Sequence, residues 1–389
     1  MPQQIVHLWE GALTAIETIL RERSARKPFF VVDEAAYAAS AAAEVLQPLL
    51  SARETVRFAG FEPNPKLPDI ERGIDLFRNA MPDVVIALGG GTALDLAKLI
   101  GLLAVHEASA REIITGAVAI ERQGPPLIAI PTTAGTGSEA THFAVAYIDG
   151  EKFSVAHPSL LPEYVLLDPQ LTYNLPPKIT AASGLDAFCQ AVESIWAVGA
   201  TDESVDAASR SLELSLEHLA AAVNHPGPAA RRGMCEAAHL AGKAINISKT
   251  TAPHAISYAI TTHFGVPHGF AVALTLAPML AYNANVTAAD CNDPRGLEHV
   301  RQRIARLLEI LGGSIERSLA MIETLIDAVG GVRRLSDVGA SSEESRRLLT
   351  AHVNPDRLSN NPRRMDTAAI EKLLASIAEG NPNPMKPVF

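Results

Sequence analysis

Short, unbroken apolar runs mark the first half of the chain. Phe29 to Val32 is one, ending at Asp33; Val84 to Leu88 is a second, ending in Gly89-Gly90-Gly91; Leu127 to Ile130 is a third, ending at Pro131. A strand buried on both faces shows no polar alternation, so each run predicts an interior strand. Helix-length segments, 68–80 and 93–105, follow the first two interior runs at a distance that fits crossovers. Strand–helix–strand alternation predicts a parallel sheet with helices on both faces. After about Pro177 the apolar spacing turns helical, as over 181–198, 204–223 and 297–311. The fold expected is an α/β N-terminal domain over 1–176 and an all-α C-terminal domain over 177–389, packed closely with a cleft between them.

Composition narrows the partners. A length of 389 residues suits two domains, and 48% hydrophobic with 20% charged residues is a globular balance. The net charge of −10 argues against nucleic acid or an anionic membrane, both of which demand a basic face. It leaves room for a small anionic substrate, since local charge can oppose net charge. No apolar stretch reaches the ~20 residues of a membrane span, and Met1 to Glu10 lack the pattern of an export signal. The three cysteines, Cys189, Cys235 and Cys291, are widely spaced and read as reduced thiols. A cytoplasmic protein is expected.

Two loops have the chemistry to hold phosphate or ribose. Gly89-Gly90-Gly91-Thr92 follows a strand and opens a helix, where close backbone approach and unpaired amides favour a pyrophosphate. The spacing is not that of G-x-G-x-x-G. Pro131 to Glu139, with Thr132, Thr133, Thr136 and Ser138, also follows a strand; it reads equally as a helix N-cap with Glu139 completing a capping box. Asp33 ends the first strand, where a carboxylate accepts hydrogen bonds from an adenosine ribose and repels a 2′-phosphate, or else caps the helix starting at Glu34.

A second group has the chemistry of a metal site. In the segment around Gly184 to Trp196, Leu185, Phe188, Val192, Ile195 and Trp196 form an apolar stripe. Asp186, Gln190 and Glu193 fall at i, i+4 and i+7 on another face. Three histidines, His254, His263 and His268, follow within fifteen residues of sequence. Imidazole together with carboxylate suits Fe²⁺ or Zn²⁺.

These features together resemble the iron-containing (group III) alcohol dehydrogenases over nearly the whole chain. The resemblance rests on Glu62-Pro63-Asn64-Pro65, on Gly89 to Thr92 with Asp95 and Lys98, and on Pro131 to Glu139. It extends through Lys152, Asp168-Pro169, Gly184 to Ala187, Pro267-His268-Gly269 and Asn361-Pro362-Arg363. It implies NAD(H) as cofactor, with NADP(H) open, held by Asp33, Asn64, Gly90, Gly91, Thr92, Asp95, Thr132, Thr133, Thr136, Ser138 and Lys152. It also implies Fe²⁺, with Zn²⁺ open, held by an Asp, a His four residues on, and two His fourteen apart. Asp186, His254 and His268 fit three of those positions, since 268 − 254 = 14; the fourth holds Gln190.

The chain departs from the broader family before the first histidine ligand. Ser248-Lys249-Thr250-Thr251 places a cation and three hydroxyls there, and Tyr258 replaces a common second histidine. This cluster resembles the phosphonoacetaldehyde reductase branch, whose enzymes form 2-hydroxyethylphosphonate in phosphonate biosynthesis. The expectation is that the metal polarises an aldehyde, the nicotinamide delivers hydride, and Tyr258 or His263 relays the proton. Ser248, Lys249, Thr250 and Thr251 would hold the anionic tail, with Lys249 within a turn and a half of His254 if the segment is helical. The partner expected is a small anionic aldehyde, and a homodimer is open. The alternatives are a general alcohol or glycerol dehydrogenase with a neutral substrate, a lyase resembling dehydroquinate synthase, and, more distantly, a non-catalytic nucleotide-binding protein.

Overall fold

The computed structural model describes residues 4–379, so the outer ends of the two expected domains, 1 and 389, lie outside the described residues. Two compact units result. One runs to Leu175 and includes Gly227–Cys235; the other holds Pro176–Pro226 and the chain from Glu236 onward. The segment 227–235 therefore packs with the first unit, where the Arg231 guanidinium donates to the Leu175 carbonyl at 3.2 Å.

The first unit is built on a six-stranded parallel sheet. Its strands are β1 (Ile5–Leu8), β2 (Pro28–Val32), β3 (Val56–Phe58), β4 (Val84–Gly89), β5 (Leu127–Pro131) and β8 (Tyr164–Leu167), in the order β1-β8-β5-β4-β2-β3. The remaining two, β6 (Phe143–Ile148) and β7 (Glu151–Ala156), pair antiparallel as a separate ribbon. The three apolar runs are thus central strands. Phe29, Val31, Val85, Ala87 and Ala129 pack on one face; Phe30, Val32, Ile86, Leu88, Ile128 and Ile130 pack on the other. Successive side chains point to opposite faces, so a strand covered on both sides is apolar throughout. Helices α1 (Glu34–Ala39), α2 (Leu67–Ala80) and α3 (Gly91–Leu103) follow β2, β3 and β4.

The second unit is helical among the described residues, apart from an isolated bridge between Cys291 and Arg363. Its helices include α4 (Pro177–Trp196), α5 (Asp202–Asn224), the latter part of α6 (Pro228–Ser248), α7 (Ala252–Phe264) and α8 (His268–Ala284). None of the described helices is long and apolar enough to cross a membrane.

One buried cation braces the first unit. Lys98 Nζ donates to the carbonyls of Ser138 (2.5 Å), Thr141 (2.9 Å) and Phe143 (2.9 Å) and to Thr141 Oγ1 (3.0 Å). It is 2% exposed, and burial pulls its pKa down to about 8 against the opposing pull of Asp95 and Glu139. The lysine pins the loop after β5 to α3. Lys98→Met strands those carbonyls, each lost bond leaving a buried acceptor unsatisfied. It is expected to lower stability by about 2–3 kcal/mol, read as a lower urea midpoint. An unchanged midpoint would show that the loop holds without it.

Candidate functional site

In the first unit the glycine loop folds against the end of β2. Gly89 has φ 150°, and a Cβ there would lie 2.9 Å from the Asp33 Cβ and 2.7 Å from the Ala93 Cβ. A Cβ on Gly91 would meet Thr136 Cγ2 at 2.8 Å. Only glycine allows this approach, and it brings the start of α3 beside the second loop. Thr132 N donates to Gly89 O at 3.0 Å, and the backbone N–H of Asn64, itself left-handed at φ 65°, donates to Thr92 Oγ1 at 3.1 Å. Asp33 caps α1 through Oδ1, which accepts from Ala35 N (3.0 Å) and Ala36 N (3.1 Å). Capping and ribose contact are compatible, because Oδ2 takes no part in the cap. Asp33, Glu34, Gly60, Phe61, Pro63 and Thr92 line a pocket of about 370 Å³. Such a lining, next to the amides at the start of α3, could hold an adenosine ribose and its pyrophosphate.

Asp95 and Ser138 have other work. Ser138 Oγ donates to Asp95 Oδ1 at 2.5 Å, and Val145 N donates to Asp95 Oδ2 at 2.9 Å. Both groups join α3, the second loop and β6, so they brace the loop expected to meet the cofactor. Burial raises the Asp95 pKa, while Lys98 and, more weakly, Lys152 of β7 pull it back down. Thr132 is buried, whereas Thr133 and Thr136 remain half-buried on the loop.

In the second unit one carboxylate organises the histidines. Glu193 is wholly buried on α4, and its Oε2 meets His254 Nδ1. Its Oε1 accepts from Thr251 N and Thr251 Oγ1, both at 2.8 Å. Trp196 Nε1 in turn donates to Thr251 Oγ1 at 2.9 Å. A carboxylate at Nδ1 fixes the imidazole proton there and leaves Nε2 to face Asp186 Oδ1, 3.2 Å away. Burial disfavours charge on His254, but Glu193 and Asp186 outweigh it and raise its pKa. Burial also raises Asp186, and His254 and His268 more than offset that, holding its carboxyl below the usual range.

Asp186, His254 and His268 each present a ligand atom, all within 4.8 Å of one another. Their closeness depends on Gly269, where a Cβ would lie 1.8 Å from the Ala182 carbonyl oxygen. The start of α8 therefore runs backbone to backbone against α4. A buried carboxylate with two imidazoles, one locked in tautomer, fits a divalent transition metal. Gln190 hydrogen-bonds Asp186. Because a carboxylate only accepts, the Gln190 amide nitrogen donates to it, and this bond does not engage the amide oxygen that ligation would use.

The expected anion-binding tetrad is divided. Ser248 is wholly buried, and its hydroxyl bonds Ser194 Oγ (2.9 Å), Ala244 O (3.0 Å) and Lys249 O (2.9 Å). Thr251 is spent on Glu193 and Trp196. Neither hydroxyl is turned outward; both are buried and hydrogen-bonded within this unit. Lys249 and Thr250 remain, and they are not helical: α6 stops at Ser248, Lys249 has φ 61°, and α7 starts at Ala252. Asn360 clamps this turn, its Nδ2 donating to Ser248 O (2.8 Å) and Thr250 O (2.9 Å), while its Oδ1 accepts from Gly199 N (2.8 Å). Lys249 is exposed, and what burial it has lowers its pKa.

Tyr258 and His263 part company. Tyr258 follows His254 by four residues on the same face of α7 and stacks on His268, with centroids 5.6 Å apart and planes 4° from parallel. The Arg357 guanidinium lies 5.0 Å from the Tyr258 ring. Among the described residues, no carboxylate is within ion-pair distance of Arg357. His263 is nine residues from His254, half a rotation around the helix. It is exposed and packs against His352 at 4.5 Å. That position sets it apart from the His254 face. Glu193, Arg357 and Asn360 are residues that sequence reasoning left without a role, and Trp196 was read only as part of an apolar stripe. Glu193 alone carried a signal, its place on the Asp186 face.

Comparison with known proteins agrees with this geometry. A family model described as iron-containing alcohol dehydrogenase matches residues 2–169, and one described as Fe-containing alcohol dehydrogenase family, C-terminal, matches 180–378. Phosphonoacetaldehyde reductase of Streptomyces viridochromogenes is 36% identical over 76% of each chain. Long-chain-alcohol dehydrogenase 1 of Geobacillus thermodenitrificans is 32% identical over 90% of this chain and 89% of its own. Among solved structures, sulfoacetaldehyde reductase from Bifidobacterium kashiwanohense in complex with NAD+ aligns with a TM-score of 0.88 at 28% identity, over 98% of each chain.

Glu193→Gln tests the histidine lock. It is expected to weaken binding of a divalent ion at Asp186, His254 and His268 by about 10- to 100-fold, measured by competition with a chromophoric chelator. An unchanged affinity, with circular dichroism also unchanged, would show that His254 is oriented by other means.

Proposed function

The chain belongs to the iron-containing alcohol dehydrogenase family, and we propose that within it the protein reduces a small anionic aldehyde with NADH, phosphonoacetaldehyde fitting best. It is an oxidoreductase of the alcohol dehydrogenase and aldehyde reductase kind. The observation that carries the finer reading is the Lys249 turn. A left-handed φ on a side chain with a Cβ costs roughly 1–2 kcal/mol and persists only where the surroundings hold it. Here Asn360 holds it, two residues from the threonine that braces Glu193. An exposed ammonium beside the Thr250 hydroxyl is the chemistry an anionic tail needs. Arg357, beside Tyr258, offers a second cation. The likeness to proteins named for phosphonoacetaldehyde and sulfoacetaldehyde, both two-carbon aldehydes with an anionic tail, supports the same reading.

In this proposal the first unit takes the dinucleotide and the second takes metal and substrate. A divalent ion would supply Lewis acidity toward the carbonyl oxygen, and reduced nicotinamide would supply the hydride. Asp186, His254 and His268 would hold the ion, with Gln190 and Glu193 orienting Asp186 and His254. Asp33 would accept from the adenosine ribose, and the amides opening α3 would hold the pyrophosphate. Lys249 and Thr250 would hold the tail and thereby fix which carbon is presented. Tyr258, on the His254 face and against His268, would relay the proton.

Lys249→Ala separates this from a general alcohol dehydrogenase. Loss of one charge-assisted contact, about 1.5–3 kcal/mol, corresponds to a loss of roughly 10- to 150-fold in kcat/KM toward phosphonoacetaldehyde. Propanal turnover is expected to stay nearly constant. Equal losses on both aldehydes, or none on either, would return the enzyme to the neutral-substrate reading. Net NADH oxidation in the same assay distinguishes a reductase from a lyase that regenerates its cofactor.

A further inference from the structure

The pocket at the end of β2 carries a second carboxylate besides Asp33. Glu34, the first residue of α1, lines it too. Glu34 is engaged by Arg57 of β3 through both oxygens: Nε donates to Oε1 at 2.9 Å and Nη2 to Oε2 at 2.5 Å. The guanidinium also lies over two rings, 4.9 Å from the Tyr37 centroid and 5.6 Å from the Phe30 centroid. Phe30 and Arg57 are register partners across β2 and β3, which sets the cation two residues from the end of the strand that delivers Asp33.

Resting on the reading that this pocket takes the adenosine ribose, we infer that Glu34 determines cofactor choice through Arg57. It occupies the guanidinium that a 2′-phosphate would need and places a second negative charge beside Asp33. A phosphate monoester carries close to two negative charges at neutral pH, and an arginine fork is the side chain best shaped to receive it. In NADPH the phosphate would have to displace Glu34 from Arg57. The displaced carboxylate is tethered to the start of α1, so it cannot leave the neighbourhood and would remain beside the incoming charge. The ribose hydroxyl of NADH makes no such demand. The pair is half-exposed, with side chains 43% and 53% accessible, so it acts as a bias and not an absolute bar.

The test is a double-mutant cycle on the full chain, with NADH and NADPH binding measured by calorimetry. Glu34→Gln keeps the size and removes the charge. It is expected to tighten NADPH by about tenfold, the scale of one charge-assisted contact from the freed guanidinium, and to leave NADH within about threefold, and the gain should shrink as salt rises. Arg57→Gln should abolish that gain when combined with Glu34→Gln. A gain that survives Arg57→Gln would overturn the role of Arg57 and leave simple repulsion by Glu34. No gain at all would overturn the inference outright while the ribose reading stands. If wild type binds neither dinucleotide, the ribose reading itself fails.

Discussion

The helical unit turns on a carboxylate with no solvent at all. An ionised group removed from water must find donors for its oxygens or give up its charge. Glu193 finds them in the Thr251 amide and hydroxyl and in the His254 imidazole. Each donor belongs to the stretch where one helix has ended and the next begins, so satisfying Glu193 also fixes how α7 starts. Trp196, one turn further along α4, closes the arrangement through Thr251. The histidine is thus aimed by a network whose other members never touch the nitrogen that faces Asp186.

The parallel sheet imposes a comparable constraint on the first unit. Because both faces of β2, β4 and β5 are covered, polar chemistry can appear only where the strands end. Asp33, the triple glycine and the threonine-rich loop all stand at such ends, and Lys98 holds the last of them in place. Ligand-binding groups in open parallel sheets gather at the carboxyl ends of strands for this reason.

Much of this was legible in the sequence. Three of the four interior strands, β2, β4 and β5, declared themselves because burial on two sides leaves no polar position, while the four-residue β8, equally buried, was not read. Edge strand β1 and the short β3 gave no comparable run, since Ile5 and Val6 are exposed and β3 is only Val56–Phe58. Asp186, His254 and His268 could be read from spacing and resemblance. What could not be read was direction. Ser248, Thr250 and Thr251 look alike as letters, yet two point into the protein and are satisfied there. The break at Lys249 did leave a trace: Pro253 sits where proline favours the first turn of a helix, so a restart was signalled. The partner of Glu193 lay 61 residues away, beyond any local pattern.

The left-handed backbone at Lys249 has a further consequence for the history of such a chain. Glycine would adopt φ 61° without steric cost, so Lys249→Gly relieves strain in the fold. Selection for heat resistance alone would favour that exchange, and selection for turnover of an anion would oppose it. On the proposed function, a lysine there is a compromise between durability and use. In a laboratory evolution experiment that rewards only survival of heating, this position should be among the first to drift.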